Sequence, residues 1–209
     1  MRQEFILLLS TILFSYCSSG QKPATPVLIG GPCEGCEAIL EYGDRALSSV
    51  DTLPGFGAEG QMIKVSGTIY KPDGKTPASG VILYVYHTDQ NGLYTPDENT
   101  KGWGRRHGYL RGWVKTDASG YYTFYTLMPA GYPNRPDPSH IHYTILEPNG
   151  KYYYLESCLF EGDPRLTDQD RNPVSPRGGA GGLMKMKTRD DLMVGTRNVI
   201  LGKNVPGYE

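Results

Sequence analysis

Charge of one sign is what this chain lacks most plainly: 21 Lys and Arg stand against 22 Asp and Glu, a formal net charge of −1. The strong basic footprint of a nucleic-acid binder is absent, and no basic cluster is longer than the short "GRRH" at 104–107. Long apolar runs are also missing. The run from Phe5 to Phe14 has about half the ~20 residues that a membrane-spanning helix needs. With four cysteines in all, no second C-x-x-C joins Cys33 and Cys36. That excludes a four-cysteine zinc site, and no βαβ pattern supports a thioredoxin-like motif. The glycine-rich "RGGAGG" at 177–182 has neither the Lys-Ser/Thr of a phosphate loop nor the flanks of a dinucleotide fingerprint. Histidine is scarce as well, at four residues.

What is present points to β-structure. Tyrosine is abundant, 16 against 5 Phe and 2 Trp, and aromatic and β-branched residues suit strands. The chain of 209 residues is long enough for one domain with a proper core. Its start, "MRQEFILLLSTILFSYCSSGQ", combines one Arg, an apolar run and small polar residues, the pattern of an export signal. Cys17 followed by "SSG" resembles a bacterial lipoprotein signal, although Tyr16 stands where a small residue is usual; cleavage a little further on is the alternative. The expected organisation is a signal peptide over 1–20, a Pro/Gly linker over 21–36 and one domain over 37–209. Membrane attachment is expected only through a lipid at Cys17. Export permits disulfides, and one of Cys33 and Cys36 bridged to Cys158 is a candidate pairing that sequence does not settle.

Along the domain, "EAILEYGDRALSSV" (37–50) predicts a short helix. Strand signals then take over. "MIKVSGTIY" (62–70) alternates; "VILYVYHT" (81–88) reads as a buried central strand; "NVIL" (198–201) is a late one. "GWVKTDASGYYTFYTL" (112–127) and "HIHYTILEPNGKYYYLESCLF" (140–160) each have the outline of a hairpin, the second around Asn149-Gly150. At least seven short, mostly antiparallel strands with frequent turns predict an all-β sandwich. Two stretches, 89–111 and 161–195, break that rhythm, and long loops on a rigid sandwich are where sites are built.

The sharpest local feature is "SHIHY" (139–143). Side chains two apart on a strand leave the same face, so His140 and His142 can reach one ion. Tyr132, in "PAGY", precedes His140 by eight residues, and Tyr94 follows Tyr86 by eight in "YVYHTDQNGLY". Between them runs "LRGWVKTDASGYYTFYTLMPAGY". Strand aromatic, Tyr94, "RG", "TD..GYYTF.T..PAGY" and "HIH", in this order over about residues 60–160, resemble the intradiol ring-cleavage dioxygenases of the catechol and protocatechuate type. The resemblance implies Fe(III) held by Tyr94, Tyr132, His140 and His142, with no organic cofactor. It implies cleavage of a catecholic substrate by O2 between the two hydroxylated carbons, with Tyr132 as the base. The donor types agree: two phenolates are hard anionic oxygens suited to Fe(III), imidazole also suits iron, and zinc seldom takes tyrosine.

Departures from the family pattern bear on the substrate. Tyr86 stands where the family has Trp, and Asp137 where it often has Arg three residues before the first His; Arg135, close by, is a candidate catalytic helper. His87 reads as a satisfied core histidine, His107 as a surface-loop residue, and Trp103 and Trp113 as packing. Two other readings compete. "VSGTIYKPDGKTPASGVILYVYHTDQNGLYT" also resembles the transthyretin-like and carboxypeptidase-regulatory-like binding modules, which have no reason to carry H-I-H at this distance from "PAGY". The other is a dioxygenase fold with a degenerate metal site.

Overall fold

The structure, a computed structural model, describes residues 24–209. The signal segment and the Cys17 anchor expected from sequence lie outside the described residues. Thirteen strands follow in chain order: β1 (Val27–Leu28), β2 (Val50–Thr52), β3 (Met62–Tyr70), β4 (Ile82–His87), β5 (Arg111–Lys115), β6 (Tyr121–Leu127), β7 (His140–Leu146), β8 (Lys151–Tyr154), β9 (Cys158–Phe160), β10 (Leu183–Met184), β11 (Lys187–Arg189), β12 (Leu192–Thr196) and β13 (Val199–Ile200). One sheet runs β1-β8-β7-β4-β5, with β9 on β7 and β10 on β9; the other runs β11-β12-β3-β6-β2, with β13 on β3.

Both sheets are mixed, and antiparallel pairs outnumber parallel ones, as expected. The long strands pair antiparallel, β3 with β6 and β4 with β5 and β7. Short strands delivered from distant parts of the chain add in parallel, including β12 and β13 on β3 and β2 on β6. Val27 and Leu28, within the stretch read as a linker, run parallel to β8 at the sheet edge. The 161–195 stretch also holds three strands that sequence did not reveal, β10 to β12, each with few or no buried apolar positions to betray a period.

Alternation along the strands builds two apolar layers. Ile63, Val65, Leu83, Val85, Tyr122, Phe124, Ile141, Tyr143 and Ile145 meet between the sheets. The opposite face of the first sheet presents Ile82, Tyr84, Trp113, Leu146 and Tyr152, and is covered by a 3-10 helix, Cys36–Tyr42, through Ala38 and Ile39. That helix is shorter than the one expected over 37–50. Gly43, at φ 58°, takes the chain out of the helical region, and Asp44, Arg45 and Ala46 are exposed.

Two further expectations give way to this layering. The 112–127 stretch is not a hairpin: Asp117 to Gly120 does form a turn, its backbone bonded from Gly120 N–H to the Asp117 carbonyl at 3.0 Å. Yet β5 pairs with β4 and β6 with β3, so the turn is a corner between the sheets. A tight turn specifies reversal, not partner, and each strand has a longer neighbour to bury its apolar residues against. The cysteine pairing differs too. Cys33 and Cys36 are bridged to each other, and Cys158 is free and buried. Cys36 belongs to the outer layer and Cys158 to the inter-sheet core, on opposite faces of the first sheet, so they cannot meet. The Asn149-Gly150 hairpin, by contrast, forms between β7 and β8 as read.

Phe124 is fully buried in that inter-sheet core. Phe124→Ala is expected to lower the free energy of unfolding by about 3–5 kcal/mol, whereas Val174→Ala, at a residue 93% exposed, should stay within about 0.5 kcal/mol. Urea titration of the two variants checks both.

Candidate metal centre

β7 supplies both histidines, and its alternation sends Ile141 into the core and His140 and His142 to the outer face. The two tyrosines come from the loops after β4 and before β7, which are tied to each other. Thr88 Oγ1 donates to the Ala130 carbonyl at 2.6 Å, and Ala130 N–H donates to the Asp89 carbonyl at 3.2 Å. Asp89 in turn accepts from the backbone N–H groups of Asn91 and Leu93 at 2.8 and 3.0 Å, shaping the turn that presents Tyr94. Gly92 has φ 75°, and a Cβ there would stand 2.3 Å from the Gly131 carbonyl oxygen. Only glycine lets the loops approach so closely.

Four atoms close a ring. Tyr94 Oη lies 2.6 Å from Tyr132 Oη and 2.8 Å from His142 Nε2. Tyr132 Oη lies 3.2 Å from His140 Nε2, and the two Nε2 atoms are 3.1 Å apart. Donors set at right angles about 2.0–2.1 Å from one ion would be about 2.9 Å apart, so these separations are those of adjacent ligands. Among the described residues no group of three or more His, Cys, Asp or Glu could hold a metal; the tyrosines complete the set. Sequence reading therefore named four residues that the fold brings to one point, all half-buried.

Protonation agrees with a donor site. His140 Nδ1 lies 2.7 Å from the Pro138 carbonyl and must donate to it, which leaves Nε2 as a lone pair facing the ring. Burial, with His140 beside it, pushes His142 down to about 3, so its imidazole is neutral. Burial and the hydrogen bond to Tyr132 push Tyr94 well above the usual phenol range, so its deprotonation calls for a strongly Lewis-acidic cation.

Around the four donors stand residues that sequence named in other roles and some, such as Arg165, that it did not single out. Tyr86 lies opposite His142 in the β4–β7 register and stacks on it, centroids 4.4 Å apart. His107 stacks on the other face of the column, 3.8 Å from Tyr86, and its Nδ1 is 2.9 Å from Tyr84 Oη. It is 5% exposed, not the surface-loop residue expected: "GRRH" forms a helical turn, Gly104–His107, whose last residue faces inward. Arg165 Nη1 donates to the Tyr132 carbonyl at 3.1 Å and braces that loop. Arg135 donates to Asp137 at 2.9 Å with its side chain 67% exposed, its guanidinium 5.2 Å from the Tyr132 ring centre. His87 is a satisfied core residue, with Nδ1 and Nε2 each 2.7 Å from Thr88 O and Thr126 Oγ1. Trp113 is buried and donates to the Ile39 carbonyl at 3.1 Å, and Trp103 packs on His107, both as read. Beside His142 opens a cavity of about 370 Å³, walled by Tyr86, Tyr154, Ser157, Glu156 and the Cys33–Cys36 loop with Glu34. That is within the range of small-molecule sites, ~300–1,000 Å³.

A family model described as "Dioxygenase" matches residues 44–193. The chain belongs to the intradiol ring-cleavage dioxygenase family. Catechol 1,2-dioxygenase 1 of Acinetobacter lwoffii is 30% identical over 201 residues, covering 84% of this chain and 61% of that enzyme. Hydroxyquinol 1,2-dioxygenase of Corynebacterium glutamicum is 26% identical over 191 residues, covering 79% and 57%. The chain thus spans little more than half the length of these curated relatives. In fold, it is similar to the dioxygenase domain of a dioxygenase–carbohydrate-binding fusion from Streptomyces sp. SirexAA-E, with TM-score 0.54, 22% identity, and coverage of 77% of this chain and 94% of that one.

Neutral buried histidines make this dioxygenase-family protein acid-sensitive. Burial pushes His87 and His107 down to about 4. The unfolded chain, with histidines near 6.5, binds more protons below that pH, so stability is full above 6.5 and is lost as pH falls toward 4. For His87 alone the loss between pH 7.5 and pH 5 is about 2 kcal/mol. Denaturant titration of the metal-free protein at those two values tests it, and a flat response would contradict it.

Proposed function

We propose that this protein is an Fe(III)-dependent dioxygenase that opens catechol-type rings between their two hydroxylated carbons, using O2. The observation that carries the reading is the closed ring of two tyrosine oxygens and two imidazole nitrogens, each within 3.2 Å of its neighbours. Two phenolates and two neutral imidazoles suit a hard trivalent ion. Tyr94, Tyr132, His140 and His142 would hold it. When bound, Fe(III) supplies the Lewis acidity that ionises phenols and the electron demand that makes an electron-rich ring react with O2.

The chain's own groups do the rest. His140 is fixed by its hydrogen bond to Pro138, and His142, neutral, by stacking on Tyr86. Tyr132 sits on a loop whose backbone Arg165 holds. Its Oη is the group that accepts a substrate hydroxyl proton. The cavity at His142 offers aromatic walls for one ring and a substituent. Glu156 lines it, and Glu34, paired with Arg106, does too, with no Lys or Arg among the described lining residues. The Glu156 carboxylate disfavours substrates with a carboxylate on the ring. The family match and the donor ring support this reading over an accessory binding module. The N-terminal segment supports export, with anchoring at Cys17 as part of the proposal.

Aerobic loading with iron is expected to colour the protein through phenolate-to-Fe(III) charge transfer, and addition of catechol should shift the band. Tyr94→Phe should weaken the band, and Tyr132→Phe should also lower kcat by about 10²–10⁴-fold. A protein that stays colourless after iron loading would sink the proposal. Among substrates, catechol and 4-aminoethylcatechol are expected to show higher kcat/KM than 3,4-dihydroxybenzoate. Glu156→Lys should narrow that gap, and steady-state kinetics across the three compounds gives the ratio.

A further inference from the structure

His140 and His142 are oriented by different means. A metal-binding histidine is ordinarily fixed by a hydrogen bond from its second ring nitrogen, and His140 has one, 2.7 Å to Pro138. His142 has only a long, weak one, its Nδ1 lying 3.4 Å from Ser157 Oγ. What holds its ring is a column of parallel planes. Tyr86 lies against His142 at 4.4 Å and 16°, and His107 against Tyr86 at 3.8 Å and 6°. The edge of His107 meets Tyr84 Oη at 2.9 Å.

The far side of the column is closed by the Cys33–Cys36 loop. Gly35 is buried at φ 84°, and a Cβ on it would lie 2.5 Å from His107 Nε2. The backbone of the loop therefore rests directly on the imidazole. Neighbouring contacts clamp the same two segments together. Glu34 pairs with Arg106, and Glu41 accepts from Trp103 N–H at 2.8 Å and from Arg111 at 2.6 Å. A disulfide closing so short a loop constrains the unfolded chain little, because that stabilisation grows with loop length. Its effect is local, on the left-handed turn that places Gly35.

We propose that the Cys33–Cys36 disulfide and His107 are positioning elements of the metal centre: the closed loop holds His107 on Tyr86, and Tyr86 sets the plane of His142. The proposal rests on the dioxygenase reading for its iron readouts and on the geometry alone for its iron-free one. It also makes assembly of the site depend on the oxidised state of a bond that lines the cavity.

Two arms test it. In the first, iron-free wild-type protein is treated with tris(carboxyethyl)phosphine. The phosphine gives two electrons and takes an oxygen from water, and the two sulfurs leave as thiols with the two protons. Amide hydrogen exchange at 104–108 and 140–143 is expected to rise about tenfold, with β3 and β6 unchanged; unchanged exchange at both segments overturns the proposal. In the second, Cys33→Ala/Cys36→Ala and His107→Ala are expected to lower Fe(III) affinity about 10–100-fold and to move the charge-transfer band. His107→Phe, which keeps the stacked ring, should restore both. Wild-type affinity and band in the double variant, or a Phe variant no better than Ala, would overturn it. Failure of the wild type itself to bind iron would instead remove the dioxygenase reading and leave the exchange arm to decide.

Discussion

The antiparallel register of β4 against β7 is the constraint on which the rest depends. It sets Tyr86 opposite His142 and Val85 opposite Tyr143, so one face of the pair carries the metal donors and their support and the other the inter-sheet core. A slip of one residue would exchange those faces for every side chain on the strand. The core prevents it: Leu83, Val85, Ile141, Tyr143 and Ile145 are at most 1% exposed, and moving them outward would lose the main apolar layer. The register that keeps the fold together thus also aims both imidazoles.

Donors from strands and donors from loops then play different parts. His140 and His142 are rigid because β7 is central and paired on both sides. Tyr94 and Tyr132 arrive on loops that are tied to each other and, for Tyr132, braced by Arg165. Four polar atoms facing one another at 2.6–3.2 Å can pair without metal, each phenol O–H donating to an imidazole lone pair. Their separations are also those of adjacent ligands about one cation, which is the argument for reading the cluster as a ligand set.

Much of the candidate site was legible because its spacing is local: H-x-H on a strand is geometry within three residues, and the tyrosines follow turn signals at Asn91-Gly92 and in "PAGY". The outlines of β3, β4 and the β7–β8 hairpin were legible from alternation and from Asn149-Gly150. The strands of the 161–195 stretch were not, because β10 and β11 are only two or three residues long and carry no period. His107 and the cysteine loop were misplaced for a related reason. Their partners, Tyr86 and Gly35, lie 21 and 72 residues away along the chain, and no local pattern records such a contact.

By itself, then, the order of residues determined the β-rich class and named the four residues that meet at one point, since residue type and short spacing carry that information. Tertiary structure alone decided which strands became neighbours, that the Asp117–Gly120 turn is a corner between sheets, that Cys36 bonds Cys33 and not Cys158, and that a column of rings stands behind His142. Each of these follows from which face of the first sheet a side chain occupies. A residue's face is settled only when the whole core has chosen its register.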